Sequence, residues 1–209
     1  MNLTECQHCG TCCRKGGPAL HGSDLDLIRN ASIPLSSLYT IRPKEMLLDN
    51  ISGSIIIAES DIIKIKSQDG ENTCFFFDES GSACRIYADR PLECRQMECW
   101  DTEAIRRIYN CDRLDRRKIL AGNPSLLEII ALHEGQCDIT AIARLVSLRR
   151  SGDPAASADI MEKINYDADL RKRAISAYPG GAAILDFLFG RPLYRILPLQ
   201  FGVPVQRAV

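Results

Sequence analysis

The sequence predicts an α+β fold: a small cysteine-rich module of short β-hairpins and loops, packed against a C-terminal bundle of three or four helices. Three observations lead there. Eight of the ten cysteines lie between residues 6 and 99. The runs SIIIAESDIIKIKS (54–67) and CFFFDESGSACRIY (74–87) are rich in β-branched and aromatic residues, as strands are. From Asn123 onward the chain instead repeats helix caps, helical apolar spacing and Gly or Pro stops. Residues 1–100 are therefore expected to form the cysteine module and 101–209 the helical region, the two packing together or forming one continuous domain.

Residues 1–22 read as loop, with Gly10, Gly16, Gly17 and Pro18 as breakers. Ser23 is expected to cap a short helix, DLDLIRN, that ends before Ile33-Pro34. SLYTIR is ambiguous. Residues 54–67 read as two strands or one bent strand, broken around Glu59–Asp61, and SQDGEN (67–72) as a turn. The 74–87 run predicts a hairpin turning at Glu79–Ser82, with Cys74 and Cys84 near its two ends. Pro91 is suited to open a helix carrying Cys94 in or near its first turn. Cys99 follows five residues later and on an unbroken helix would point about 140° away. Either the helix breaks or the two thiols serve different centres.

In the second half Asn123-Pro124 starts one helix that Gly135 is expected to close. Asp138 caps ITAIARLVSLRR, which ends at Ser151-Gly152. Asp153-Pro154 starts a longer helix reaching toward Tyr178, stopped by Pro179-Gly180. AAILDFLF forms a further helix ending at Gly190.

Net charge is −1, which gives no global pull toward nucleic acid or anionic membranes. The basic run around residues 105–118 is interleaved with Asp and Glu and reads as a solvated helix face rather than a nucleic-acid contact. MNLTECQHCG has no basic segment leading into an apolar stretch, and no run approaches the roughly 18 apolar residues of a membrane span. A soluble cytoplasmic protein without a membrane span is expected. In such a reducing compartment, ten cysteines favour metal binding over a disulfide framework.

Metal ligation requires several thiolates within about 2.3 Å of an ion, and C-x-x-C loops achieve this at little cost in chain closure. Cys6–Cys9 and Cys9–Cys12 both have that spacing. The side chains of the vicinal pair Cys12-Cys13 diverge, so one is expected to face a metal and the other a second centre or the core. Arg14, Lys15, Arg85, Arg90 and Arg95 lie on or near the cysteine runs, where cations favour an anionic thiolate centre; Arg14, Arg90 and Arg95 are the candidates to support the cofactor. His8 is expected to face solvent, His21 and His133 to be ordinary residues, Cys111 to be a small buried hydrophobe and Cys137 to be structural.

The pieces C-x-x-C-G-x-C-C-R, C-F-F, G-x-x-C-x-I-Y and R-P-x-x-C-R, in that order over residues 6–95, resemble the YkgJ family of cysteine-cluster proteins, described as zinc- or iron-chelating. The resemblance implies Cys6, Cys9, Cys12, Cys13, Cys74, Cys84 and Cys94 as the cysteine set, which Cys99 extends here. A similar module accompanies bacterial flagellin lysine methylases, which keeps an enzymatic role open. One dense run plus widely separated single cysteines is closer to iron–sulfur ligation than to the paired C-x-x-C of structural zinc, although it departs from the ferredoxin spacing. The expected cofactor is an iron–sulfur cluster, [4Fe–4S], one or two per chain, with zinc as the alternative. The expected partner is a redox or other protein partner, unidentified. Electron transfer or redox coupling competes with a zinc-stabilised interaction module and a metal-dependent modifying enzyme.

Overall fold

In the computed structural model, residues 6–68, 72–178 and 180–205 are described. The first five residues of the expected N-terminal loop, residues 69–71 of the expected turn, and Pro179 lie outside them. The fold is α+β, with short antiparallel strand pairs in the first half and helices in the second.

Helix α1 spans Leu25–Arg29. Ser23 does not cap it. A single 3-10 turn, Gly22–Asp24, precedes it, and Asp24 Oδ2 accepts from the His21 N–H at 3.0 Å. The ambiguous SLYTIR becomes strand β1, Leu38–Ile41. Strand β2, Met46–Leu48, was not anticipated from sequence; it pairs with β3, Ile55–Ile57. Strand β4, Ile62–Ile65, pairs antiparallel with β1 in the register Leu38↔Ile65 to Ile41↔Ile62. The 54–67 run is thus two strands in different sheets. Period-2 alternation sends Leu38, Ile63 and Ile65 into the main core, while Ile41 and Ile62 pack with Ala19 and Ala58 on the opposite face. The expected hairpin forms as β5, Phe77–Asp78, and β6, Ala83–Cys84.

Helices α2 (Leu92–Gln96), α3 (Glu103–Ile108) and α4 (Arg116–Ile119) are short. Helix α5 spans Pro124–Gln136, and Asn123 Oδ1 accepts from the Leu126 N–H at 3.2 Å. Gly135 stays inside it. The helix stops one residue later, where Asp138 starts α6, Ile139–Arg150, by accepting from the Ala141 N–H at 2.8 Å. Helices α7 (Ala156–Ala177), α8 (Gly181–Phe189) and α9 (Leu193–Phe201) complete the described chain. No helix among the described residues is long and apolar enough to cross a membrane.

One core runs through both halves: Leu38, Ile63 and Phe77 pack with Leu170 and with Phe187, Leu188 and Phe189 of α8. Full burial of each such side chain contributes about 1.5–3 kcal/mol. A second core, including Ile142, Val146, Ile160, Leu193 and Leu197, lies wholly within the helical half. Buried charges tie the halves together. Arg42 donates to Glu45 at 2.8 Å and to the Cys137 carbonyl at 3.3 Å, and Arg116 forms a bidentate pair with Asp61.

Candidate metal centre

The N-terminal cysteine run is shaped by backbone that only a small residue tolerates. Gly10 has φ +72°, and a Cβ there would enter the Phe77 ring and the Arg14 guanidinium. The run then tightens into a 3-10 turn at Cys13–Lys15, with the Arg14 N–H donating to the Gly10 carbonyl at 2.9 Å. Next, the Cys74 N–H donates to the Cys13 carbonyl at 2.8 Å, which fixes the run against the hairpin. Cys84 lies on β6 opposite Phe77, whose N–H donates to the Cys74 carbonyl at 2.9 Å. Cys94 enters from α2, which Pro91 precedes as its N-cap, and the helix ends at Gln96. The helix therefore breaks before Cys99, which lies on the bend between Glu98 and Asp101.

All ten cysteines are free. Cys74 is buried; Cys12, Cys13, Cys84 and Cys94 are half-buried; Cys6, Cys9 and Cys99 are exposed. The Cys13 thiol donates to Cys12, which lowers Cys12 to about 6 against the opposing effect of burial and correspondingly raises Cys13. Burial raises Cys74, and burial followed by the neighbouring Cys74 and Cys12 raises Cys94. A hydrogen bond with Thr11, 3.2 Å between Sγ and Oγ1, lowers Cys9. Burial raises Cys99 too, and the negative charges of Cys12, Cys9 and Cys6 add to that.

The three candidate arginines border this region. Arg14 forms a two-pronged ion pair with Glu79, donates to the Cys9 carbonyl at 2.9 Å and lies 4.9 Å above the Phe77 ring. Arg90 lies 3.6 Å above Tyr87 and lowers the Cys12 thiol. Arg95 donates to the Arg90 carbonyl and pairs with Asp24 at 3.6 Å. His8 is exposed, its ring 4.6 Å from Tyr87. Cys111 is exposed rather than buried: α3 ends at Ile108, so no helix carries Cys111 to an apolar stripe.

Soft thiolate donors bordered by guanidiniums fit a thiophilic, anionic metal centre. Among the described residues, the one group of three or more His, Cys, Asp or Glu donor atoms all within 4.8 Å is His133, Cys137 and Asp167. The eight thiols therefore gather more loosely than a single tetrahedral ion requires, since 2.3 Å bonds put the sulfurs about 3.8 Å apart.

Sequence reasoning passed over His133, and its environment shows why the tight trio is not a metal site. His133 Nδ1 faces the Arg42 guanidinium at 3.4 Å, and Nε2 faces Asp167 Oδ1 at 2.9 Å. Arginine only donates, so Nδ1 accepts and the proton sits on Nε2, leaving no lone pair there for a metal. Asp167 also accepts from Arg171 at 2.7 Å and from the Leu193 N–H at 2.8 Å, so both of its oxygens are engaged. Burial holds His133 at about 4, and it opposes ionisation of Asp167, but His133 and Arg171 outweigh it and hold Asp167 at about 2. Cys137 is raised to about 12, chiefly by burial. His21 is likewise buried, with Nδ1 2.7 Å from the Cys111 carbonyl and Nε2 3.4 Å from Glu93. Both histidines bond residues 34 to 91 positions away, a distance that leaves no local signal.

Residues 5–114 match the CxxCxxCC family, described as a "putative zinc- or iron-chelating domain". The match takes in all eight candidate ligands, Cys99 included. No curated protein and no solved structure matches the chain. With just over half of its residues inside that pattern, the chain belongs to the CxxCxxCC family, the cysteine-cluster family that residues 6–95 resemble.

Proposed function

We propose that this chain is a cytoplasmic iron–sulfur protein, with a [4Fe–4S] cluster held by the cysteine module, that transfers single electrons to a protein partner or couples its redox state to that partner's activity. The observation that carries it is that Cys13 and Cys84 pack against the core that includes Cys74, whose N–H bonds the Cys13 carbonyl, within the stretch matched by the chelating-domain family. A cubane takes one thiolate at each of four irons, so it suits thiols gathered more widely than a mononuclear ion needs. When bound, the cluster supplies a one-electron couple, and the protein sets its potential through nearby charge and hydrogen bonding.

The chain's own residues have definable parts in that role. Arg14 and Arg90 offset the negative charge of the thiolates, and the exposed Cys6, Cys9 and Cys99 keep one edge near solvent, where a partner can approach. Ligating thiols must remain reduced, which accords with a cytoplasmic setting. A redox titration followed by visible absorption tests the role. A reversible one-electron couple is expected, shifted to lower potential in Arg90→Gln as a cation is lost. A chromophore that cannot be reduced at accessible potentials contradicts electron transfer.

A zinc-stabilised interaction module is the second reading. It is favoured by the packing of Cys13 and Cys84 against the main core, where bound metal would contribute directly to folding. It predicts a colourless protein with stoichiometric zinc.

A further inference from the structure

Strands β2 and β3 form a two-stranded sheet of their own, and its two edges differ. On the β2 side the Met46 N–H donates to Gln200 Oε1 at 3.0 Å, and Arg191 donates to the Met46 carbonyl at 2.8 Å. Just past the strand, the Asn50 N–H donates to Tyr109 Oη at 3.3 Å. Those bonds point the Met46 backbone away from β3, so Met46↔Ile57 is a non-hydrogen-bonded pair. By the alternation of an antiparallel ladder, Leu48↔Ile55 is another. The N–H and C=O groups of Ile55 and Ile57 therefore face outward, where no hydrogen bond meets them among the described residues.

This open edge lacks the features that keep an edge strand solitary. Asn50–Ala58 holds no charged residue and no proline. Leu48, Ile55, Ile56 and Ile57 are 61, 66, 39 and 49% exposed. Together they present roughly 400 Å² of mostly apolar surface, as much as the largest patch of an ordinary monomer. That is about half of the ~800 Å² that each partner gives to a standard interface, close to the usual apolar share.

We propose that β3 is the interface of a homodimer, in which it pairs antiparallel with β3 of a second copy about a two-fold axis through Ile56, joining both hairpins in one four-stranded sheet. Ile55 of each copy then lies opposite Ile57 of the other, each pair exchanging both backbone hydrogen bonds, and Ile56 meets Ile56. In this register Ser54 faces Ala58 and Glu59 faces Gly53, so no like charges oppose one another. The two-fold uses the open edge of both copies. The remaining edge is taken by Gln200 and Arg191, so the sheet closes at two chains instead of growing into a filament. The pairing involves no thiol and stands whether or not metal is bound.

The test is the mass of the anaerobically purified full-length chain by sedimentation equilibrium over a range of concentrations, where two chains are expected. Ile57→Pro removes an outward N–H that β2 does not use, and Ile55→Lys places a cation on the edge. Each is expected to sediment as one chain, with far-UV circular dichroism and metal content as in wild type. Leu199→Lys, at an exposed apolar position on α9, should remain two chains. Amide exchange on the wild-type dimer reads the edge without any substitution: the Ile55 and Ile57 N–H groups should be protected, although neither has a partner within its own chain. A wild type of one chain at every concentration, assemblies larger than two chains, a dimer that survives Ile55→Lys, or fast exchange at both amides overturns the proposal.

Discussion

His133 shows how much a single residue can commit. Its imidazole is enclosed by Asp167 and Arg171 from α7, Arg42 beside Glu45 from the module, and Cys137 at the end of its own helix. Arg191 also binds Glu45, at 2.9 Å, closing the network. The folded imidazole stays neutral down to about pH 4, whereas the unfolded one takes a proton near 6.5. The stability that comes from keeping it neutral is therefore complete above pH 6.5 and lost as pH falls toward 4, by about 3 kcal/mol at most. Urea unfolding at pH 7.5, 6 and 5 should show this loss, and the slope should flatten in His133→Gln; equal slopes contradict the neutral assignment. At the cysteine run, Gly10→Ala is expected to lower both metal content and stability, because the left-handed φ and the Phe77 ring leave no room for a Cβ. Metal content equal to wild type in that variant would show that the loop does not need its tight turn. The thiols were legible from sequence because ligand chemistry leaves short, spaced patterns. The His133 and His21 networks were not, because their partners come from distant segments.

Elements were legible where a local signal starts or stops them. Asn123-Pro124 and Asp138 were readable as caps, and both cap as expected because an Asn or Asp oxygen can satisfy free N–H groups of a first helical turn. Asp138→Ala should cost about 1 kcal/mol in chemical denaturation and leave metal content unchanged, since no thiol ligand touches that cap. A loss of metal in that variant would mean that α6 supports the module. Gly135 misled as a stop because the cap of the following helix, three residues on, sets the boundary instead. Strand β2 was missed since MLL carries little strand signal of its own and becomes a strand by pairing with β3. Cys99 was the candidate ligand hardest to place, because α2 ends at Gln96 and leaves it on a separate turn between Glu98 and Asp101.

At the scale of the whole molecule, the α+β class followed from the shift in residue pattern between the two halves. The shared core did not, because contacts such as Thr40 Oγ1 donating to the Phe187 carbonyl join residues 147 positions apart. The two cores predict two separable kinds of damage. Leu197→Ala, in the core remote from the thiols, should cost about 2–5 kcal/mol while metal per folded chain stays at the wild-type value. Reduced metal in the folded fraction would show that the helical core shapes the module. The most direct measurement is iron, zinc and acid-labile sulfide content together with the visible spectrum, on one anaerobically purified sample. Iron and sulfide in matching amounts, with a thiolate-to-iron charge-transfer band, are the expected result. Stoichiometric zinc in a colourless protein contradicts the iron–sulfur assignment and leaves the zinc-stabilised interaction module in its place.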